Sequence, residues 1–115
     1  MVKKFYYKDI LFEVGESAYE NTNLIKESSN DYYWLHMDLI PSPHVIIHTD
    51  TIDTDIINFA SSLCQDHCSK KYKLSNSFYT ISTRISNLDI TEVPGEVEFK
   101  KTGKKHLKKH FIQIL

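Results

Sequence analysis

DYYWLHMDLIPSPHVIIH, residues Asp31–His48, is the densest aromatic and histidine-bearing run in the chain. It holds the single tryptophan, two of the three prolines and three of the six histidines. Two short apolar runs flank a segment carrying Pro41 and Pro43, which cannot donate ladder hydrogen bonds. The spacing therefore predicts a strand over Tyr32–Met37, a turn over Asp38–Pro43 and a strand over His44–His48. Side chains alternate along a strand, so Tyr32, Trp34 and His36 share one face, opposite Tyr33, Leu35 and Met37. His44, Ile46 and His48 likewise share a face opposite Val45 and Ile47. Each strand carries one histidine beside the turn, His36 on the way in and His44 on the way out.

Upstream, KKFYYKDILFEV (residues 3–14) mixes aromatic and β-branched residues around Lys8-Asp9, which predicts a first strand or hairpin bending near Asp9. Gly15 breaks that pattern and Glu16 opens a helical one, with early carboxylates, a late Lys26 and turn formers at Ser28–Asp31. Downstream, Thr49–Thr54 is rich in helix-capping residues. Ile56, Phe59, Ala60, Leu63, Cys64 and His67 then recur as one helical stripe, predicting a helix to about Lys70. Phe78–Ser82 alternates as a strand, with Arg84–Ile90 as its continuation. Pro94-Gly95 signals a turn before a short strand at Glu96–Phe99, Lys100–Lys109 is a charge run, and Phe111–Leu115 closes as an apolar strand. Strands interrupted by two principal helices make the chain a single α+β domain over residues 1–115, with a mainly antiparallel or mixed sheet.

With 115 residues, 41% hydrophobic and 25% charged, the composition is that of an ordinary globular domain. Its apolar runs are too short to span a bilayer, and Met1–Lys8 lacks the apolar core of a signal peptide, so no membrane association is expected. Two cysteines, Cys64 and Cys68, fit free thiols in a reduced, cytoplasmic protein. The net charge of −1 hides an asymmetry. Residues before Asn58 carry four lysines against ten carboxylates; from Asn58 onward nine lysines and Arg84 face five carboxylates. Local potential, not total charge, attracts phosphates.

Metal and acid–base chemistry are weakly encoded. Cys64-x-x-x-Cys68 with His67 lacks the second ligand pair of a structural zinc site, and Cys64 falls on the apolar stripe as a buried thiol. His36 and His44 flank one turn with Asp31 and Asp38 nearby in sequence; the spacing fits two imidazoles that pin the turn through hydrogen bonds, with a direct ligand contact as the alternative. His106 and His110 read as solvated members of the lysine run. Three glycines, Gly15, Gly95 and Gly103, exclude nucleotide-cradling loop motifs, so neither a catalytic residue, a metal nor a cofactor is expected. The basic residues are the stronger signal. Lys70, Lys71 and Lys73 bracket Tyr72, Arg84 is the single guanidinium, and Lys100, Lys101, Lys104 and Lys105 open the densest run. Charge alone leaves a solvated lysine hairpin and a phosphate-contacting surface equally open.

Gly15-x-x-x-Tyr19-Glu20-Asn21-x-x-Leu24-Ile25-Lys26, Asp31-x-x-Trp34-Leu35-His36 and Ser42-Pro43-His44-Val45 resemble, in order, blocks of the NFACT-R domain. Ala60-x-x-Leu63, His67-Cys68-Ser69-Lys70, Phe78-Tyr79-Thr80 and Pro94-Gly95-Glu96-Val97 are similar to its remaining blocks. The wording is closest to the small stand-alone eukaryotic members, although the sequence stops at Leu115 without their coiled coil. Leu35 stands where the family usually has phenylalanine, and Pro43 where it has a small residue. The resemblance makes Tyr19, Asn21, Asp31, Trp34, His36 and His44 the signature positions. It implies a non-enzymatic nucleic-acid-binding module for structured RNA, tRNA or rRNA, linked to the ribosome and to ribosome-associated quality control. Phosphates would be held by Lys70, Lys71, Lys73, Arg84, Lys100, Lys101, Lys104 and Lys105, with Tyr72 or a ring near Tyr32–Trp34 stacking on bases. Double-stranded DNA is the rival ligand, because phosphate contacts do not separate the two. The alternative is a protein-interaction module that docks a ribosomal or other partner through the Trp34/His36 hairpin.

Overall fold

The computed structural model describes residues 1–69, 76–100 and 106–113. Six antiparallel strands form one sheet in the order β1 (Lys3–Tyr7), β2 (Ile10–Val14), β4 (Val45–Ile47), β3 (Tyr33–Met37), β5 (Ser77–Arg84), β8 (Lys108–Gln113), and the pair made by the Asp31–His48 stretch lies at its centre. Those strands are β3 (Tyr33–Met37) and β4 (Val45–Ile47), in register Tyr33↔Ile47, Trp34↔Ile46 and Leu35↔Val45. Both are a residue or more shorter than predicted, although Tyr32, His44 and His48 still share backbone hydrogen bonds with Ile85, Gly15 and Leu11. His44 donates its N–H to Asn21 Oδ1. All of β4 is buried, which explains a continuous Val-Ile-Ile run where a half-solvated strand would alternate.

Residues 3–14 form β1 (Lys3–Tyr7) and β2 (Ile10–Val14) around a two-residue turn. Lys8 and Asp9 occupy it at φ 52° and 61°, the left-handed geometry whose twist matches that of the strands. Helix α1 (Ala18–Glu27) starts two residues later than the carboxylate pattern suggests, since Ser17 is the N-cap and accepts from Glu20 N. Helix α2 (Thr54–Asp66) is capped by Asp53, whose Oδ1 accepts from Ile56 N. It stops four residues short of Lys70. There His67 N–H and Nδ1 turn onto Leu63 O, and Cys68 N–H and Sγ–H turn onto Gln65 O, satisfying last-turn carbonyls that further helix would have used.

β5 (Ser77–Arg84) is longer than the alternation of Phe78–Ser82 suggests, being held between β3 and β8. The expected continuation over Arg84–Ile90 breaks at a 3-10 turn, Ile85–Asn87. β6 (Leu88–Ile90) then pairs with β7 (Val97–Phe99) in a separate two-stranded sheet. β8 (Lys108–Gln113) begins inside the expected charge run, and Ile114 and Leu115 lie outside the described residues.

The sheet has a core on each face. Leu35, Met37, Val45, Ile47, Phe12, Val14, Phe78 and Ile112 meet Ile56, Ile57, Ala60, Leu63 and Cys64 of α2. On the other face Trp34 and Ile46 meet Leu24 and Ile25 of α1, with Ile85, Leu88, Val97 and Phe99. The strand faces predicted for the central hairpin match this division.

Candidate nucleic-acid interface

Four of the six signature residues converge at the N-terminal end of α1. The Trp34 indole stacks on His36 (centroids 5.6 Å) and meets His44 edge-on (5.5 Å), and the two imidazoles lie edge to face at 5.2 Å. Asn21 reaches them from α1, accepting the His44 N–H at 3.2 Å. Gly15 makes that approach possible: a Cβ there would sit 2.0 Å from Asn21 Oδ1. The Gly15 N–H in turn donates to His44 O at 3.1 Å, so strand, turn and helix close on one another.

The two imidazoles are not equivalent. His36 Nδ1 lies 2.6 Å from Met37 O and donates to it, which leaves Nε2 as an acceptor in the neutral ring. Burial pushes its pKa down, against the raising effects of the Met37 and Ser42 carbonyls and of Asp38. His44 is 3% exposed, and its Nδ1 has no hydrogen-bond partner among the described residues. Burial, with the neighbouring His36 as a smaller cause, lowers its pKa to about 3, so it is neutral throughout the physiological range. The expectation that both rings pin the turn by hydrogen bonds holds for His36 and fails for the His44 Nδ1. Trp34 Nε1 is also buried and unpartnered among the described residues.

Trp34 is 2% exposed, so it can neither stack on a base nor dock a partner; its burial follows from a central strand covered on both faces. The remaining signature residues stand apart. Tyr19 is exposed on the first turn of α1. Asp31 lies at the opposite end of β3, where its carbonyl accepts from Arg84 Nη1 at 2.8 Å.

Arg84 also donates through Nη2 to Asp50 O at 2.9 Å and lies over the Tyr33 ring at 4.7 Å. It clasps two loops, leaving fewer N–H groups for a phosphate than an unbound guanidinium offers. Lys100 is exposed, with Nζ 3.9 Å from Asp89 Oδ1. The expected contacts at Lys70, Lys71, Tyr72, Lys73, Lys101, Lys104 and Lys105 fall outside the described residues. The segments flanking them enter β5 at Ser77 and β8 at Lys108, which pairs with Ser82. Those two strand starts are about 17 Å apart at 3.3–3.4 Å per residue.

The structure adds residues that the sequence reading left out of the site. On the sheet face away from α2, Tyr79 of β5 pairs with Phe111 of β8, with ring centroids 5.3 Å apart. They are 48% and 58% exposed, unusual for adjacent large rings. Lys109 sits over Tyr79 at 4.7 Å and bonds Asp38 at 3.0 Å. His36, Ile81 and Lys109 occupy successive rungs of β3, β5 and β8. At 4.7–4.9 Å per strand, the histidine pair and this aromatic platform lie about 10 Å apart on one face. The alternation of Phe78–Ser82 already set Tyr79 on the face opposite Phe78; only the pairing with β8 could show that Phe111 joins it.

Across the sheet, a cleft of about 840 Å³ between the start of α2 and β5/β8 is lined by Arg84, Lys108, His106 and His110. His110 is half-buried and bonds Ser82 Oγ through Nε2 at 2.8 Å, which corrects the expectation of a solvated residue. Ser82 is 1% exposed, so this bond lies inside the sheet. Cys64 is fully buried, its thiol pushed up to about 12 by burial, and no cluster of three metal-ligating side chains occurs among the described residues.

No protein-family model and no curated protein matches the chain. Among solved structures, the C-terminal part of the fibronectin/fibrinogen-binding protein from Streptococcus suis superposes with a TM-score of 0.82 at 19% identity, over 99% of this chain and 45% of that one. The chain thus spans less than half of that neighbour, and the likeness at this identity is one of fold.

Proposed function

We propose that this domain is a non-enzymatic RNA-binding module, with structured RNA such as tRNA or rRNA as its ligand class. The supporting observation is the platform of Tyr79 and Phe111 with Lys109 beside it, on the half of the sequence that carries the excess of lysine. Exposed rings give unpaired bases a stacking surface, and neighbouring lysines give their phosphates sequence-independent partners. The NFACT-R resemblance favours the same ligand and extends the proposal to a role beside the ribosome in quality control. Docking of a protein through the Trp34/His36 hairpin has less support, since the indole is buried. The solved neighbour is named for binding fibronectin and fibrinogen, a property of that protein.

Replacing Phe111 with alanine tests the reading at little risk to folding, because the ring is largely exposed. Affinity for a single-stranded RNA is expected to fall about tenfold, as loss of one base–ring stack predicts. Unchanged affinity in fluorescence anisotropy, with the far-UV spectrum preserved, would remove the platform from the proposal.

A further inference from the structure

A second cleft, of about 620 Å³, opens over the histidine pair and is lined by Gly15, Ser17, Asn21, His36, His44 and Gly95, among others. Its volume falls within the range of small-ligand sites. It lies beside the N-terminus of α1, a position that ordinarily suggests an anion. The local chemistry argues otherwise. Ser17 Oγ caps Glu20 N, and Glu20 Oε1 accepts from Glu16 N. Glu16 and Glu20 bring negative charge to the rim, where Lys3 and the Met1 amine neutralise it. No lysine or arginine lines the cleft among the described residues. What it offers instead are three imidazoles, His36, His44 and His67, with Asn21, Glu16 and Cys68 among walls of glycine, proline, alanine and serine; the His36 and His44 rings are neutral, and the unpartnered His44 Nδ1 is itself buried. A flat, uncharged ring with hydrogen-bonding edges fits that description; a phosphate does not.

Building on the RNA reading, we infer that the cleft formed by Gly15, Asn21, His36, His44 and Gly95 receives one unpaired nucleobase, recognised through the His36 imidazole, against which the buried His44 ring packs edge to face. His36 lies about 10 Å from Lys109 across the rungs of β3, β5 and β8, so the cleft and the aromatic platform fit one continuous strand. The cleft then selects a base, while the lysines hold the backbone without regard to sequence.

The test uses the ¹⁵N-labelled full chain titrated separately with AMP, CMP, GMP, UMP and inorganic phosphate, and then with a short single-stranded RNA. At least one nucleotide is expected to move the amides of Gly15, Asn21 and Gly95 saturably, while phosphate leaves them in place. His36→Phe, which keeps the ring and removes Nε2, should weaken that nucleotide about fivefold, the scale of one lost hydrogen bond, with spectral dispersion retained. The inference is overturned if no nucleotide moves these amides, if phosphate moves them equally, or if His36→Phe, and likewise His44→Phe, binds as the parent does. RNA that shifts Tyr79, Lys109 and Phe111 while every nucleotide spares the cleft would sink the base pocket and leave the RNA reading standing. RNA that shifts neither region would overturn both.

Discussion

His44 is the residue whose physics has the widest consequence. An unfolded chain protonates a histidine near pH 6.5, whereas the folded protein holds His44 neutral down to about pH 3. Between those values the unfolded state binds the extra proton, so stability falls as the pH is lowered. Lowering the pH from 6.5 to 5 should cost about 2 kcal/mol through His44 alone, read as a drop in the urea midpoint at constant slope. His36, also depressed by burial, steepens the loss. An NMR titration placing the His44 pKa above 6 would contradict this. Gly15 and Asn21 make a second residue-scale case. Asn21→Ala leaves the buried His44 N–H without its partner and should cost about 1–3 kcal/mol. Gly15→Ala drives a Cβ against Asn21 Oδ1, so its penalty should shrink in the Asn21→Ala background. Simple additivity in a double-mutant cycle would show that the close approach does not matter.

At the scale of elements, the β1–β2 turn places Asp9 at φ 61°, in the second central position, where glycine is the favoured residue. Asp9→Gly should raise stability by about 0.5 kcal/mol, relief of left-handed strain outweighing the added chain entropy. A lower thermal midpoint would refute that assignment. Elements defined by local chemistry were legible in the sequence: the Lys8-Asp9 bend, the second helix behind the cap-rich Thr49–Thr54 loop, and the faces of Trp34 and Leu35. Elements defined by distant partners were not. β8 begins at Lys108 because it pairs with Ser82, and β5 runs on to Arg84 because it is held between β3 and β8. The same division applies to the candidate site. Asn21, His36 and His44 could be named as a set, but their meeting beside Gly15, and the pairing of Tyr79 with Phe111, depend on contacts between residues 6 to 32 positions apart.

The whole molecule separates scaffold from charge. Its acidic first half supplies the hairpins, α1 and the sheet centre; its basic second half supplies β5, β8 and the lysines. A nearly neutral total thus coexists with a surface that can engage phosphates, and RNA binding on this account is electrostatic in strength. The most direct measurement is the affinity of the full chain for a labelled tRNA across a series of salt concentrations. If about five cations contact the backbone, log affinity should fall against log salt with a slope of roughly −4 to −5. A slope near zero, or no binding at low salt, would contradict the account.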